Sequence, residues 1–183
     1  MLPVLYTSRL ILRPFTLEDC EDVQRLAGHE EVARMTANIP HPYPPDAAKA
    51  WIEIHEPAYA KGLLASFAVT KKDDQKLMGC VAIGLNQVDM RGELAYWMGV
   101  PYWNQGFTTE AACECMRFCF EQFNLAKVSG AFFSINAASG RVMQKLGMVQ
   151  EGYRRRHMMK NGVLMDLVEY AVLREDFRSS AKL

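Results

Sequence analysis

The chain has 183 residues, half of them apolar and 23% charged, which is enough for one substantial core and far from the composition of a disordered chain. Its 21 Lys and Arg balance its 21 Asp and Glu, so no global field draws it to nucleic acid or to an anionic membrane. No run nears the roughly 20 apolar residues of a membrane span, and Met1 to Tyr6 carry no basic leader. Cys20, Cys80, Cys113, Cys115 and Cys119 are odd in number and lack a Cys-x-x-Cys pair. These features predict one cytoplasmic domain over residues 1–183, without a membrane segment or a metal site.

In chain order, Ser8 to Pro14 alternates and is rich in branched residues, a strand signal that Pro14 ends. Thr16 then offers a cap for a helix with Glu18 and Asp19 in its first turn and Val23, Leu26 and Ala27 at helical spacing. Residues 36–45 carry four prolines and predict a stiff loop. A helix from Asp46 to about Lys61 would place Trp51, Ile54 and Ala58 on one face. Leu64–Thr70, Lys76–Leu85 and Glu93–Met98 predict successive antiparallel strands. From Thr108 to Asn124 the pattern turns helical, with Glu110, Glu114, Arg117 and Glu121 stepping by 4, 3 and 4 as a single stripe facing water. Lys127–Phe133 predicts a strand and Ala137–Lys145 a helix stopped at Gly147. Val149–His157 and Val163–Leu173 predict two strands joined by the hairpin turn Asn161-Gly162. The sum is an α/β chain with a mixed central sheet of about seven strands and helices on both faces.

The stretch Trp103-Asn104-Gln105-Gly106-Phe107-Thr108-Thr109 lies between a strand and the long helix. A glycine there admits close approach to the backbone, and the helix start offers unpaired amides at the positive end of its dipole, a cradle for phosphate. No Gly-Lys-Ser/Thr follows and no G-x-G-x-x-G is present, so neither a P-loop nor a dinucleotide fingerprint fits. The dense basic run Arg154-Arg155-Arg156-His157 with Lys160 could meet an acidic peptide, RNA or a cofactor phosphate. On an otherwise neutral chain it reads as a solvated face, and nucleic acid is not an expected partner.

Three further segments surround the cradle: Ser8-Arg9-Leu10-Ile11-Leu12-Arg13, Gly92 to Met98, and Asn136 to Met148. Together with it they resemble the GNAT acetyltransferase superfamily, in its RimJ/RimL-like branch, over residues 7–176. The resemblance implies the GNAT acyl-CoA N-acyltransferase fold, in which the strand at Glu93–Met98 splays from a parallel neighbour at Lys127–Phe133. The pantetheine arm of acetyl-CoA would lie in that gap, against the backbone at Met98, Gly99 and Val100. The pyrophosphate would lie on Gln105, Gly106, Phe107, Thr108 and Thr109, with Asn136 and Lys145 also on the cofactor. Thr108 stands where the family usually has Ala or Gly, and its hydroxyl could add a phosphate contact.

The resemblance further implies that Ser139 serves as proton donor to the leaving thiolate. Trp97, Trp103, Tyr96 and Tyr102 read as core and cleft wall, with Tyr102 the best candidate to face substrate. Glu93 is the leading general base and His157 the second, since histidine titrates near pH 6.5. The expected reaction is acetyl transfer from acetyl-CoA to a primary amine, at a peptide N-terminus or on a small amine. Antibiotic or polyamine acetylation and a non-catalytic acyl-CoA-binding module are the alternatives. Open sheet edges would admit a homodimer.

Overall fold

The computed structural model describes residues 1–177. The alternating segments become strands β1 (Leu5–Tyr6), β2 (Leu10–Arg13), β3 (Leu64–Lys71), β4 (Leu77–Asn86), β5 (Arg91–Met98), β6 (Lys127–Phe133), β7 (Val149–Lys160) and β8 (Val163–Leu173). They form one sheet of eight strands in the order β1-β2-β3-β4-β5-β6-β8-β7, one strand more than expected because Leu5–Tyr6 pairs with Ile11–Leu12. All neighbours are antiparallel except β5 and β6. A parallel pair needs a long crossover, here supplied by the helix α5 (Phe107–Gln122).

Helices α1 (Cys20–Ala27), α2 (Glu30–Met35), α3 (Ala47–Glu53) and α4 (His55–Ala60) cover one face of the sheet. The other face carries α5 and α6 (Ala137–Lys145). On the α5 side, Leu10, Leu12, Phe67, Val69 and Ile83 from the strands bury against Ala111, Ala112, Cys115, Met116 and Cys119. Cys80, Cys115 and Cys119 are buried as small apolar residues. On the other side, Val23 and Leu26 of α1 and Ile52 of α3 meet a floor of smaller residues, Ala68, Cys80 and Ala82. The chain enters that layer through a buried ion pair. Both nitrogens of the Arg13 fork donate to Asp19 at 2.7 Å, and the Thr16 amide donates to the same carboxylate at 2.9 Å.

Expectations for two helices are corrected, and two further features emerge. The helix expected over 46–61 is two helices. Pro57 has no amide to give Glu53, so α4 starts afresh at His55 with Pro57 in its first turn. The buried positions are then Ala48, Ile52 and His55, while Ile54 is exposed. A short α2 fills the gap before the proline-rich loop. The stripe on α5 is divided: Arg117 does bridge Glu114 and Glu121, but Glu110 is buried. Along β7 the simple alternation of the basic run fails, since the register shifts between Arg154 and Met158 and Arg156 takes φ +48°.

Among the described residues no helix is long and apolar enough to cross a membrane. No group of three or more His, Cys, Asp or Glu side chains among them is placed to hold a metal.

Candidate active site

The parallel pairing of β5 with β6 lasts three positions, Arg91 with Lys127, Gly92 with Val128 and Glu93 with Ser129. Past Glu93 the strands part, because β4 keeps β5 through Met98 while β8 keeps β6 through Phe133. The result is a fork with Glu93 at its crotch. A cleft of about 820 Å³ runs through it, lined by residues 93–98 of β5 and 131–133 of β6, a volume within the usual range for small-molecule sites. Beyond the crotch the β6-facing edge of β5 has no strand partner, so its backbone groups are open to an extended ligand. The Met98 carbonyl already accepts from Trp103 Nε1 at 2.6 Å, which leaves it one lone pair.

Alternation along β5 separates two sets of groups. Glu93, Ala95 and Trp97 share a side, and Trp97 packs with the α1–α4 layer. Leu94 and Met98 belong to the α5 core, with Tyr96 packed against it. The Tyr96 hydroxyl lies 2.7 Å from Ser139 Oγ and donates to the Ser139 carbonyl at 3.2 Å. Burial pushes the Tyr96 phenol up to about 12, against the Ser139 hydrogen bond. The phenol therefore keeps its proton at neutral pH. Glu93 is exposed to the cleft.

At one end of the cleft stands the start of α5. Asn104 at φ +60° and Gly106 at φ +80° turn the chain sharply into the helix. The first intrahelical bond runs from the Glu110 amide to the Gly106 carbonyl at 3.1 Å. The amides before it have no intrahelical partner, the arrangement in which a helix start attracts an anion. A side chain at Gly106 would meet only Arg9 Nη2 at 3.4 Å, so the glycine serves the left-handed turn rather than space.

This turn is braced from the N-terminus. Glu110 Oε1 accepts from Thr7 Oγ1 at 2.6 Å, Ser8 Oγ at 2.9 Å and the Arg9 amide at 2.9 Å, and Oε2 accepts from Arg9 Nε at 2.7 Å. Burial alone would raise the Glu110 carboxyl, but these bonds from Thr7, Arg9 and Ser8 outweigh it and hold it below the ordinary value. Arg9 also donates to the Gln105 carbonyl at 3.0 Å and lies 4.4 Å over the Phe107 ring.

The roof is Met35 to Ile39, between α2 and the prolines. Asn136 caps α6 by accepting from the Ser139 amide at 3.1 Å, and its Nδ2 donates to the Met35 carbonyl at 3.3 Å. From the β7–β8 hairpin, Lys160 Nζ donates to the Ile39 carbonyl at 2.6 Å.

Of the residues singled out in the sequence, Glu93, Met98, Tyr102, Gly106, Thr108, Thr109, Asn136, Ser139 and Lys145 line this one cleft. Gly99, Val100, Gln105 and Phe107 do not line it, and Phe107 is buried under Arg9. His157 is exposed on β7 and outside the lining, so the fold does not bring it to Glu93. Tyr96 lines the cleft as a wall residue, but its contact with Ser139 from the side of β5 opposite Glu93 was not foreseen. Sequence reasoning missed Arg141, one helical turn before Lys145, and the brace on Glu110, for which no local signal exists.

Residues 9–149 match the acetyltransferase (GNAT) domain family, and the chain belongs to that family. It is an acetyl-CoA-dependent N-acetyltransferase. An uncharacterized N-acetyltransferase of Bacillus subtilis, YoaA, is 27% identical over 175 residues, covering 95% of this chain and 98% of the relative. The FsC-acetyl coenzyme A-N(2)-transacetylase of Aspergillus fumigatus is 28% identical, covering 96% and 78%. Among solved structures, the RimL ribosomal alpha-N-protein acetyltransferase in complex with coenzyme A shares the fold. Its TM-score is 0.86 at 12% identity, over 93% of this chain and 98% of that one.

Proposed function

We propose that the protein transfers the acetyl group of acetyl-CoA to the α-amine of a protein or peptide N-terminus, by direct attack in a ternary complex. One observation carries this reading: a single cleft joins the α5 anion site to the fork, with Glu93 on one side of β5 and the Tyr96–Ser139 pair on the other. The pyrophosphate rests on the amides of residues 105–109, with Lys145 and Arg141 of α6 supplying positive charge at the cleft wall. The pantetheine arm lies along the open edge of β5 at Met98, Gly99 and Val100, and Asn136 holds the roof over it.

The amine must be neutral to attack. An α-amine has a reference pKa of about 8, leaving roughly a tenth neutral at pH 7, whereas a lysine side chain at about 10.4 leaves under about a thousandth. The base therefore has less to do for an N-terminus. Glu93 takes the proton, directly or through a water at the crotch, as the amine bonds to the thioester carbon. Collapse of the tetrahedral oxyanion breaks the C–S bond, and the thiolate departs toward the Ser139 hydroxyl, which gives it a proton while Tyr96 supplies the hydrogen bond behind. His157 has no part in these steps. The α-N-protein acceptor in the name of the RimL neighbour supports an α-amine. The reading takes residues 1–183 as one cytoplasmic domain, and leaves the edges at β1 and β7 open to a homodimer.

Calorimetric titration with acetyl-CoA, followed by thiol release across N-terminal peptides, polyamines and aminoglycosides, tests the proposal. Binding with turnover on peptides is the expected result. Binding without turnover on any amine would leave a non-catalytic acyl-CoA module, and absence of binding would remove the reading of the α5 turn.

A further inference from the structure

The cleft does not stop at the fork. On the side of β5 that carries Glu93 it continues as a lobe between the sheet and helices α3 and α4. Strand register puts small residues side by side on its floor: Ser66 is paired with Ala82 and Ala82 with Ala95, while in the next row Ala68 is paired with Cys80 and Cys80 with Trp97. A helix packed on a sheet ordinarily fills such a layer with large side chains. Here the floor is low, and the walls are rings instead. Trp51 and His55 meet edge to face at 4.4 Å, and Trp51 lies 6.3 Å from Trp97.

The lobe is also uncharged. Burial drives the His55 imidazole down to about 4, so it is neutral at pH 7. Burial pushes the Cys80 thiol up to about 12, against a hydrogen bond from Ser66. Among the lining residues the charged side chains are Glu93, at the mouth, and Arg141 and Lys145 on α6. His55 is 8% exposed, and its Nδ1 is, among the described residues, the buried side-chain polar atom left without a partner. Behind it a separate cavity of about 40 Å³, also touched by Glu56 and Ser66, is large enough for one water. No carboxylate inside the lobe could balance a second cation, and a buried ammonium without a counter-ion is costly.

Resting on the acetyltransferase reading above, we infer that this lobe, walled by Trp51, His55 and Trp97 and floored by Ser66, Cys80 and Ala82, is the acceptor's side-group subsite. It takes an uncharged apolar or aromatic substituent next to the reacting amine. With Glu93 at its mouth, an amine held at the crotch places its substituent in the lobe and its lone pair toward the fork. The acceptor class is thus a monoamine with a hydrophobic neighbour, such as a peptide beginning with an apolar residue. Polyamines and aminoglycosides carry further ammonium groups and are excluded.

The test uses the full chain, saturating acetyl-CoA and thiol release as the readout. The acceptors are peptides that differ only in their first residue (Phe, Leu, Ala, Lys or Asp), together with spermidine. The Phe and Leu peptides should exceed the Lys and Asp peptides and spermidine in kcat/KM by about tenfold or more, the scale on which apolar pockets discriminate. Ser66→Leu, which raises the floor, should cut the Phe-to-Ala preference by about tenfold while the acetyl-CoA Kd stays within about twofold. Trp51→Ala, which opens a wall, should move the preference toward larger substituents and carries the test if the first variant does not fold. Preference for spermidine or the Lys peptide overturns the subsite, as does unchanged selectivity in a folded variant that binds acetyl-CoA. Loss of acetyl transfer to every amine in the unaltered protein would instead overturn the acetyltransferase reading, and the subsite with it.

Discussion

The two ends of the cleft, the one proposed for the cofactor and the one proposed for the acceptor, are built in different ways. The cofactor end is mostly backbone: a left-handed turn at Gly106, free amides at the start of α5 and the unpaired edge of β5. Side chains there act mainly at one remove, as Arg9 and Glu110 do in holding the turn. The acceptor end is all side chain, a neutral lobe of rings over a floor of small residues. Backbone recognition suits a partner that never changes, because it depends on the fold rather than on any one side chain. Side-chain recognition suits the partner that distinguishes one enzyme from its relatives.

The sharpest break of this division is at the crotch between the two ends. Glu93→Gln should lower kcat by about a hundredfold to ten-thousandfold for every acceptor, with acetyl-CoA affinity kept, as turnover and calorimetry together would show. A loss of acetyl-CoA affinity instead would move Glu93 from the reaction to the cofactor.

Next in size, Glu110→Ala should cost about 1–3 kcal/mol of stability by taking the acceptor from Thr7, Ser8 and Arg9 and weaken acetyl-CoA binding through the loosened α5 turn. Melting and titration would read the two effects, and acceptor selectivity should not move. Because hydrogen bonds hold the Glu110 carboxyl low, its contribution is present above the unfolded value near 4.3. It is lost as pH falls further, through the folded value.

His55 gives the acceptor end its own acid signature. Its imidazole is depressed to about 4 from 6.5, so between those values the unfolded chain binds the extra proton. Stability is then full above pH 6.5 and declines by about 3 kcal/mol as pH falls to about 4. His55→Phe should flatten that slope in denaturant titrations, leaving the further loss at lower pH to the depressed carboxyls, Glu110 and Asp19 among them. A slope that survives the substitution would assign it to another group.

The smallest expected effect is Tyr96→Phe. Removing one hydrogen bond behind the leaving thiolate should cost about tenfold in kcat with the acetyl-CoA KM unchanged, by steady-state kinetics. A matching rise in that KM would make Tyr96 a wall of the cofactor channel only.

Much of the scaffold was legible beforehand. Periodicity located seven of the eight strands and helices α1, α5 and α6, since each local pattern matches the face it buries. The turn before α5 was legible from a glycine standing between a strand and a helix start, while its reading as a phosphate cradle drew on the segments around it. Three things were not. Glu110 looked like part of a solvated stripe, since its partners Thr7, Ser8 and Arg9 lie about a hundred residues away. His157 was read as a base from its residue type and from its place in the family pattern, and on β7 it is exposed and outside the cleft lining. The split at Ile54 turned His55 inward where Ile54 had been expected.

The sequence by itself thus determined most of the mixed sheet and, through four short segments spread from Ser8 to Met148, the family, because each segment carries its own local pattern. Only the tertiary structure decided where the fork opens, that Tyr96 meets Ser139, and that Ser66, Cys80 and Ala82 lie together beneath Trp51 and His55. Those juxtapositions depend on strand register and on which strand outlasts which, and neither leaves a mark on any single segment.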